Sequence, residues 1–87
     1  MLHNRGPKYQ RVQICGSMDQ WNVKHEMQFD QITNQWFINM TLKSGEEYLY
    51  KYIINDKHWV VNDEEPSKKD LAGNLNNYCK ISDVHIY

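Results

Sequence analysis

Apolar and polar residues alternate in short runs along the chain, and this period of two constrains the fold more than any other feature. In residues 35–42, Trp36, Ile38, Met40 and Leu42 fall at every second position. Successive side chains of a β-strand point to opposite sides, so this pattern is typical of a strand with one buried face. Similar or shorter runs occupy residues 9–15, 27–29, 47–55, 58–62 and 78–82. No segment keeps a helical period over three turns, which predicts an all-β chain.

Turn-forming residues separate these runs. Ser44-Gly45-Glu46 and Asn55-Asp56-Lys57 each lie between two strand-like runs, and Gly, Asn and Asp tolerate a positive φ. Residues 63–77 form a longer polar connection, which we expect to be a functional or mobile loop. Six to eight short strands with turns roughly every eight to twelve residues predict an immunoglobulin-like antiparallel β-sandwich. The 87 residues carry no internal repeat, so we expect one domain over residues 1–87.

Charge and cysteine usage exclude several classes of protein. The net charge of −1 argues against nucleic acid as a partner, because such binders carry a clustered basic field. No apolar run approaches the roughly 18 residues of a membrane span, so no membrane contact is expected. Cys15 and Cys79 are far apart and in no CxxC pattern, which favours two free thiols and a cytoplasmic location. The sequon at residues 39–41 lies in a predicted strand and is not expected to carry a glycan.

The sequence shows no catalytic or metal-binding pattern. The acidic run at residues 63–65 is a solvated charge run, since adjacent carboxylates diverge. His3, His25 and His58 have no zinc-ligand spacing. There is no G-x-S-x-G elbow and no glycine-rich phosphate loop. We therefore expect a binding module that is not an enzyme and needs no cofactor, and a protein-interaction domain remains open as an alternative.

Three residues are difficult to assign to a core. Lys51 lies in the middle of the apolar run at residues 48–54, where a solvent-facing lysine is the simplest interpretation. Trp21 follows a turn-like stretch, and Trp59 follows the predicted turn at residues 55–57. Two such tryptophans are either plugs at the edge of the core or an exposed stacking surface. Indole rings offer flat faces to sugar rings, and lysine and asparagine supply hydrogen bonds to hydroxyls, as Lys51, Asn74, Asn76 and Asn77 would here.

Four short motifs occur in a recognisable order along nearly the whole chain. They are G-S-x-x-x-W at 16–21, Y-x-Y-K-Y at 48–52, W-x-x-x-x-x-E-P at 59–66 and G-x-x-N-N at 73–77. This order resembles the family 48 carbohydrate-binding modules, the glycogen- and starch-binding domains of AMP-activated protein kinase β subunits and of plant glucan phosphatases. The tail SDVHIY at 82–87 is similar to the segment that follows the module in the kinase β subunits.

The resemblance implies a β-sandwich that binds α-glucan polysaccharide or malto-oligosaccharide and has no catalytic residue. Trp21 and Trp59 would stack on glucose rings, Lys51 would hydrogen-bond hydroxyls, Asn76 would clamp a sugar, and Leu71 would insert into the glucan curve. The parent protein implied is a kinase β-type subunit, with kinase or phosphatase domains as further candidate partners. The alternative is a degenerate module that serves as an interaction domain, with its tryptophans buried or splayed apart.

The chain departs from the family pattern at three places, the third being Asn74, which follows Gly73 where the pattern has threonine or a similar residue. Trp59 lies eight positions after Lys51, one more than in the family pattern, so His58 would take the place of Trp59 unless the turn absorbs the insertion. Leu71 lies two residues before Gly73, with Ala72 at the position where the family pattern has leucine. The first departure bears on affinity, and the second bears only on the insertion contact.

Overall fold

The computed structural model describes residues 9–81, and its regular secondary structure is antiparallel β-strand apart from one 3-10 turn. The tail at 82–87 and His3 lie outside the described residues. The strands are β1 Val12–Gly16, β2 His25–Glu26, β3 Gln28–Asp30, β4 Gln35–Phe37, β5 Glu47–Ile54, β6 His58–Val60, β7 Ser67–Lys69 and β8 Leu75–Lys80, with a 3-10 turn at Ser17–Asp19 after β1. The prediction of an all-β sandwich of six to eight strands is confirmed. No helix within residues 9–81 is long and apolar enough to cross a membrane.

Strand β5 is the centre of a six-stranded sheet. On one side it pairs with β1, and on the other its first half pairs with β8 and its second half with β6. β2 and β7 form the outer strands, next to β1 and β8 respectively. β3 and β4 form a separate two-stranded sheet, in which the rings of Phe29 and Trp36 meet edge to face with centroids 5.4 Å apart. The eight residues of β5 thus hold three strands, β1, β6 and β8, in the main sheet.

Alternation along β5 defines two faces of the main sheet. We call the side of Leu49, Lys51 and Ile53 the Lys51 face, and the side of Tyr48, Tyr50 and Tyr52 the Tyr50 face. Cross-strand partners share a face, so the remaining strands can be assigned from their pairing with β5. The buried residues of the sheet lie on both sides: the apolar Val12, Ile14, Cys15, Tyr50 and Ile53, and the polar Gln13, Asn76 and Asn77.

A buried hydrogen-bonded cluster lies on the Tyr50 face. The hydroxyls of Tyr50 and Tyr52 both donate to Oε1 of Glu65, at 2.9 and 2.7 Å. Burial, followed by this carboxylate, raises the pKa of both phenols well above the usual range. Glu65 therefore fixes the connection between β6 and β7 against the sheet.

The predicted strand at residues 35–42 is too long. β4 ends at Phe37, and the following residues have no regular pairing. The alternation survives in burial, because Ile38, Met40 and Leu42 are half-buried while the residues between them are exposed. The backbone N–H of Lys43 donates to the hydroxyl of Tyr48 at 3.0 Å, so this segment lies over the Tyr50 face. It supplies part of the second layer without being a strand.

The two cysteines lie on opposite faces of the sheet. Cys15 is opposite Lys51 in the pairing of β1 with β5, and Cys79 is opposite Tyr48. Both thiols are free, Cys15 fully buried and Cys79 half-buried, in agreement with the sequence prediction. Burial raises the pKa of both thiols, which keeps them protonated near neutral pH.

Candidate functional site

Strand pairing places Trp59 on the same face as Lys51. In the β5–β6 ladder Trp59 is opposite Ile53, and Ile53 is two residues from Lys51 on one side of β5. Trp59 and Lys51 are therefore diagonal neighbours across two adjacent strands, within reach of long side chains. Trp59 is 47% exposed, whereas its cross-strand partner Ile53 is fully buried. A half-exposed indole and a lysine thus share one face on adjacent strands.

The turn before β6 absorbs the extra residue. Asn55 and Asp56 both have positive φ, 53° and 66°, and the N–H of Lys57 donates to the carbonyl of Ile54 at 3.1 Å. His58 then pairs with Ile54 and belongs to the Tyr50 face. The possibility that His58 takes the place of Trp59 is therefore wrong, because the turn accommodates the insertion before the strand begins.

Asn55 also fixes the turn to β1. Its side-chain Oδ1 accepts the N–H groups of Gln10 and Arg11 at 2.9 and 3.1 Å, and its own N–H donates to the carbonyl of Arg11 at 2.8 Å. The Arg11 side chain is paired with Asp56 in the turn and with Glu26 in β2. Exposed ion pairs contribute little each, so the backbone hydrogen bonds carry most of this attachment.

A strained turn presents Trp21 above the Lys51 face. Gln20 and Trp21 have φ of 56° and 64°, values that cost non-glycine residues of order 1–3 kcal/mol each. The N–H of Trp21 donates to the carbonyl of Gly16 at 2.8 Å, and its carbonyl accepts the Cys15 thiol at 3.5 Å. Because the Cys15 side chain shares the face of Lys51, the backbone of Trp21 lies on that side. The Trp21 side chain is 38% exposed.

The G-S pair of the first motif attaches this turn to the middle of β5. A Cβ on Gly16 would lie 2.4 Å from the carbonyl oxygen of Leu49, so only glycine permits this approach. The next residue, Ser17, accepts the N–H of Leu49 at 3.0 Å through its side-chain oxygen. The position of Trp21 therefore depends on backbone packing against the strand that carries Lys51.

Lys24 belongs to the same surface, although the sequence analysis did not identify it. Its Nζ lies 5.7 Å from the centroid of the Trp59 ring, within cation–π range. No motif or spacing in the sequence indicates this contact, because it depends on how the connection between the 3-10 turn and β2 crosses the sheet.

The loop at residues 70–74 displays Leu71. The Asp70 carboxylate accepts the N–H groups of Ala72 and Asn74 through Oδ1, both at 2.9 Å. These hydrogen bonds, that from Asn74 foremost, lower the pKa of Asp70. Gly73 closes the turn with a φ of 87°. Leu71 is fully exposed at the tip, so the predicted insertion residue is available to a ligand.

Asn76 lies beneath this loop. Pairing of β8 with β5 and β7 puts its side chain on the Lys51 face, but it is only 3% exposed. Its amide nitrogen donates to Asp70 Oδ2 and to the carbonyl of Asn74, each at 3.3 Å. The side chain of Asn74 is exposed. A direct sugar contact by Asn76 therefore requires the loop to move aside, whereas Asn74 needs no such change.

Asn77, the third asparagine of the cluster, is a structural residue. It is fully buried and its side chain holds the connection between β6 and β7. Its Oδ1 accepts the N–H of Asn62 at 2.8 Å, and its amide donates to the carbonyls of Asn62 and Pro66 at 2.9 and 3.2 Å. The asparagine cluster read from the sequence is thus divided between three roles.

An open groove of about 650 Å³ continues the surface toward Leu71. Leu49 of the Lys51 face contributes to its floor. The other side chains that line it include Ser17, Glu47, Lys68, Leu71 and Ala72. The structure therefore brings Trp21, Lys51 and Trp59 to one side of the sheet, with Leu71 at the border of an adjoining groove.

Comparison with known proteins gives a consistent assignment. Residues 5–86 match the family described as the glycogen recognition site of AMP-activated protein kinase. The chain is also similar to the phosphoglucan phosphatase DSP4, amyloplastic, of Castanea sativa, with 30% identity over 80 residues. That match covers 91% of this chain and 21% of the phosphatase, so the chain spans about a fifth of its length. The family match extends over nearly the whole chain, and the chain therefore belongs to the glycogen recognition domains of the AMP-activated protein kinase type.

Proposed function

We propose that this domain binds α-glucan chains by stacking glucose rings on Trp59 and Trp21, with Lys51 donating hydrogen bonds to sugar hydroxyls. The observation that carries the proposal is the β5–β6 register, which puts the half-exposed Trp59 beside Lys51 on one face. Pyranose faces carry polarised C–H bonds that fit an indole face, and an ammonium group donates to hydroxyl oxygens. Membership of a glycogen recognition family supports a polysaccharide ligand.

The expected affinity is weak. Two stacks contribute about 0.5–1.5 kcal/mol each beyond burial, and a few hydrogen bonds contribute about 1 kcal/mol each. Association entropy offsets much of this, which leaves a Kd in the roughly micromolar to millimolar range. A module of this kind works by holding its parent protein at the polymer, where effective concentration is high.

We further propose that the parent protein is of the kinase β-subunit type and that the ligand is glycogen, starch or a malto-oligosaccharide. The family description supports the kinase assignment, and the phosphatase relative supports a second class of parent protein. Kinase or phosphatase domains are the corresponding candidate partners. Two free thiols are in keeping with a reducing compartment, as expected for a cytoplasmic protein.

The test is a titration with maltoheptaose, followed by calorimetry and by tryptophan fluorescence, with cellobiose as the control sugar. The exposed part of the Trp59 ring amounts to roughly 100 Å², of which a sugar covers roughly half. Area burial of about 1.2 kcal/mol plus the stacking contribution gives a loss of about 2 kcal/mol for Trp59→Ala. We therefore expect the Kd for maltoheptaose to rise about 30-fold in this variant, and to rise also in Trp21→Ala.

His58→Ala is the matched control, since it changes the neighbouring residue on the opposite face and should leave the Kd unchanged. A folded wild-type domain that gives no heat and no fluorescence change at millimolar maltoheptaose would refute glucan binding. The second candidate, an interaction domain that has lost sugar binding, would then be favoured. The burial of Asn76 beneath the loop is the observation that supports this candidate.

A further inference from the structure

Two ammonium groups on the Lys51 face have no acidic partner. Within residues 9–81 the ion pairs join Arg11 to Glu26 and Asp56, His25 to Asp19, and Lys68 to Glu47. Lys24 and Lys51 take part in none of these pairs. Within residues 9–81, no carboxylate forms an ion pair with either ammonium group, although the whole chain has a net charge of −1.

Both lysines flank the ring on which a sugar would stack. Lys24 reaches over Trp59 with its Nζ 5.7 Å from the ring centroid, and Lys51 is the diagonal neighbour of Trp59 in β5. Of the acidic groups on this face, Glu26 and Glu47 are already paired with Arg11 and Lys68. Asp70, in the loop over Asn76, accepts hydrogen bonds from its own loop and from the Asn76 amide. Asp19, which follows β1, is paired with His25. An anion at the rim of a sugar stacked on Trp59 would therefore meet the ammonium groups of Lys24 and Lys51, neither of which is held by a carboxylate in these ion pairs.

A neutral glucan makes little use of such a charge arrangement. Sugar hydroxyls are satisfied by any neutral donor or acceptor, such as the side chain of Asn74 nearby. A phosphate monoester carries about −1.5 to −2 charges near neutral pH and three acceptor oxygens, and its hydrogen bonds to ammonium groups are charge-assisted. The chemistry that uses both lysines is therefore an anionic ester on the sugar that stacks on Trp59.

We infer that the Lys51 face prefers glucan chains bearing phosphate monoesters, with Lys24 and Lys51 contacting the phosphate of the sugar stacked on Trp59. This inference rests on the proposed function, since it assigns the substrate class of the same site. Lys24 is then a specificity-determining residue: it lies at the ring and its charge distinguishes a phosphorylated glucose from a neutral one.

The experiment compares maltoheptaose with the same oligosaccharide carrying one glucosyl phosphate monoester, by calorimetry on the wild-type domain. An exposed charge pair contributes up to about 1 kcal/mol, so each lysine contact should tighten binding of the phosphorylated sugar by up to about fivefold at low salt. The ratio of the Kd for maltoheptaose to the Kd for the phosphorylated sugar should fall toward one at roughly 0.5 M salt, where exposed charges are screened within a few ångströms.

Lys24→Met tests the assigned residue, and the readout is the ratio of the two Kd values. This ratio should fall clearly in Lys24→Met, to the part that Lys51 alone supplies, and keep its wild-type value in the control Lys43→Met; an unchanged ratio in Lys24→Met would overturn the role of Lys24. Lys43 is an exposed lysine in the segment over the Tyr50 face, so it matches the change in charge without touching the site.

The outcomes separate this inference from the proposed function. Equal Kd values for the two sugars in the wild type would overturn the phosphate preference and leave glucan binding in place. Failure of both sugars to bind a folded domain would overturn glucan binding itself. Inorganic phosphate titrated alone should bind much more weakly than the phosphorylated sugar; an equal Kd for the two would mean that the lysines form a site for the free ion, and the inference would be wrong.

Discussion

Replacing Asn77 with aspartate should destabilise the domain strongly and in a pH-dependent way. The wild-type amide is fully buried and donates to the carbonyls of Asn62 and Pro66 while accepting the N–H of Asn62. Asn77→Asp preserves the shape and the acceptor. It removes both donors and places a carboxylate against carbonyl oxygens, which are themselves partially negative.

The magnitude follows from these contacts. Two lost hydrogen bonds at about 1 kcal/mol each account for roughly 2 kcal/mol. A buried charge without a partner costs about 3–5 kcal/mol in total in comparable cases. We therefore expect the free energy of unfolding to fall by about 3–5 kcal/mol at pH 7. For a domain of this size the wild-type value is a few kcal/mol above zero, so the variant should be largely unfolded at that pH.

The pH dependence gives the sharper test. Burial against carbonyls raises the folded-state pKa of the introduced carboxyl above its unfolded value of about 3.9. The deficit relative to wild type is therefore smallest below pH 3.9, where the carboxyl is protonated in both states. It grows as pH rises toward the folded-state pKa and is complete above it. Groups common to both proteins cancel in the comparison.

Urea unfolding of wild type and variant between pH 3 and pH 8 measures this deficit, with far-UV circular dichroism as the signal. Asn39→Asp is the matched control, because Asn39 is exposed in the segment that follows β4 and should show little deficit at any pH. A deficit for Asn77→Asp below about 1 kcal/mol at pH 7, or one that does not change with pH, would refute the structural role of the buried amide.

Two further predictions, one on the glycines and one on Asp70, test how the site is held. Gly16→Ala should lower the unfolding free energy by about 1–3 kcal/mol, because the new Cβ meets the Leu49 carbonyl, and it should weaken maltoheptaose binding by displacing Trp21. Gly73→Ala is the control: its positive φ should cost about 1–2 kcal/mol, but no neighbouring atom clashes with the new Cβ. Equal maltoheptaose affinity in the wild type and both variants would contradict the reasoning. Hydrogen bonds lower the pKa of Asp70 in the folded protein below its unfolded value of about 3.9. The ionised carboxylate should therefore still hold the loop at pH 3.9, and its hydrogen bonds should be lost as the pH falls through the folded-state pKa. Amide NMR shifts of the loop should follow this titration in wild type and not in Asp70→Asn, and a midpoint at or above 3.9 would contradict it.

Strands were predicted correctly from the sequence where apolar and polar residues alternate and a neighbouring strand is present to pair with them. Residues 47–55 were predicted as a strand and β5 occupies Glu47–Ile54, because tyrosines and isoleucines cover both faces of a central strand. The run at 35–42 alternates equally well, yet β4 ends at Phe37. Alternation reports which side chains are half-buried, and it cannot report whether a neighbouring strand is present to complete the hydrogen-bonded ladder.

The long polar connection was only partly predictable. Residues 63–77 were expected to be a loop, but they contain β7 at Ser67–Lys69 and the start of β8 at Leu75. β7 is an exposed edge strand with two lysines, so it carries no apolar alternation that a sequence could show. β8 begins three residues earlier than predicted, since buried Asn76 and Asn77 occupy strand positions that normally carry apolar residues.

The candidate site was predictable in its residue types and only partly in its placement. Lys51 stood out because a charge interrupts an apolar strand, and Trp59 because a large ring follows a turn. The spacing between Lys51 and Trp59 did not show on which face of the sheet Trp59 lies. Two left-handed residues in the turn, Asn55 and Asp56, set the register that puts Trp59 on the Lys51 face. Lys24 had no signal at all, since its contact with Trp59 joins two connections that only the tertiary fold brings together.

The position of this site explains why a small domain tolerates backbone strain. Left-handed residues at Gln20–Trp21 and Asn55–Asp56 each cost free energy that a chain of 87 residues can hardly spare. Both turns lead to a half-exposed tryptophan on the same side of β5, and both are fixed by hydrogen bonds to β1 or its end. Relaxing either turn would shift a ring away from Lys51, so the strain is retained where the proposed stacking requires two rings on one face.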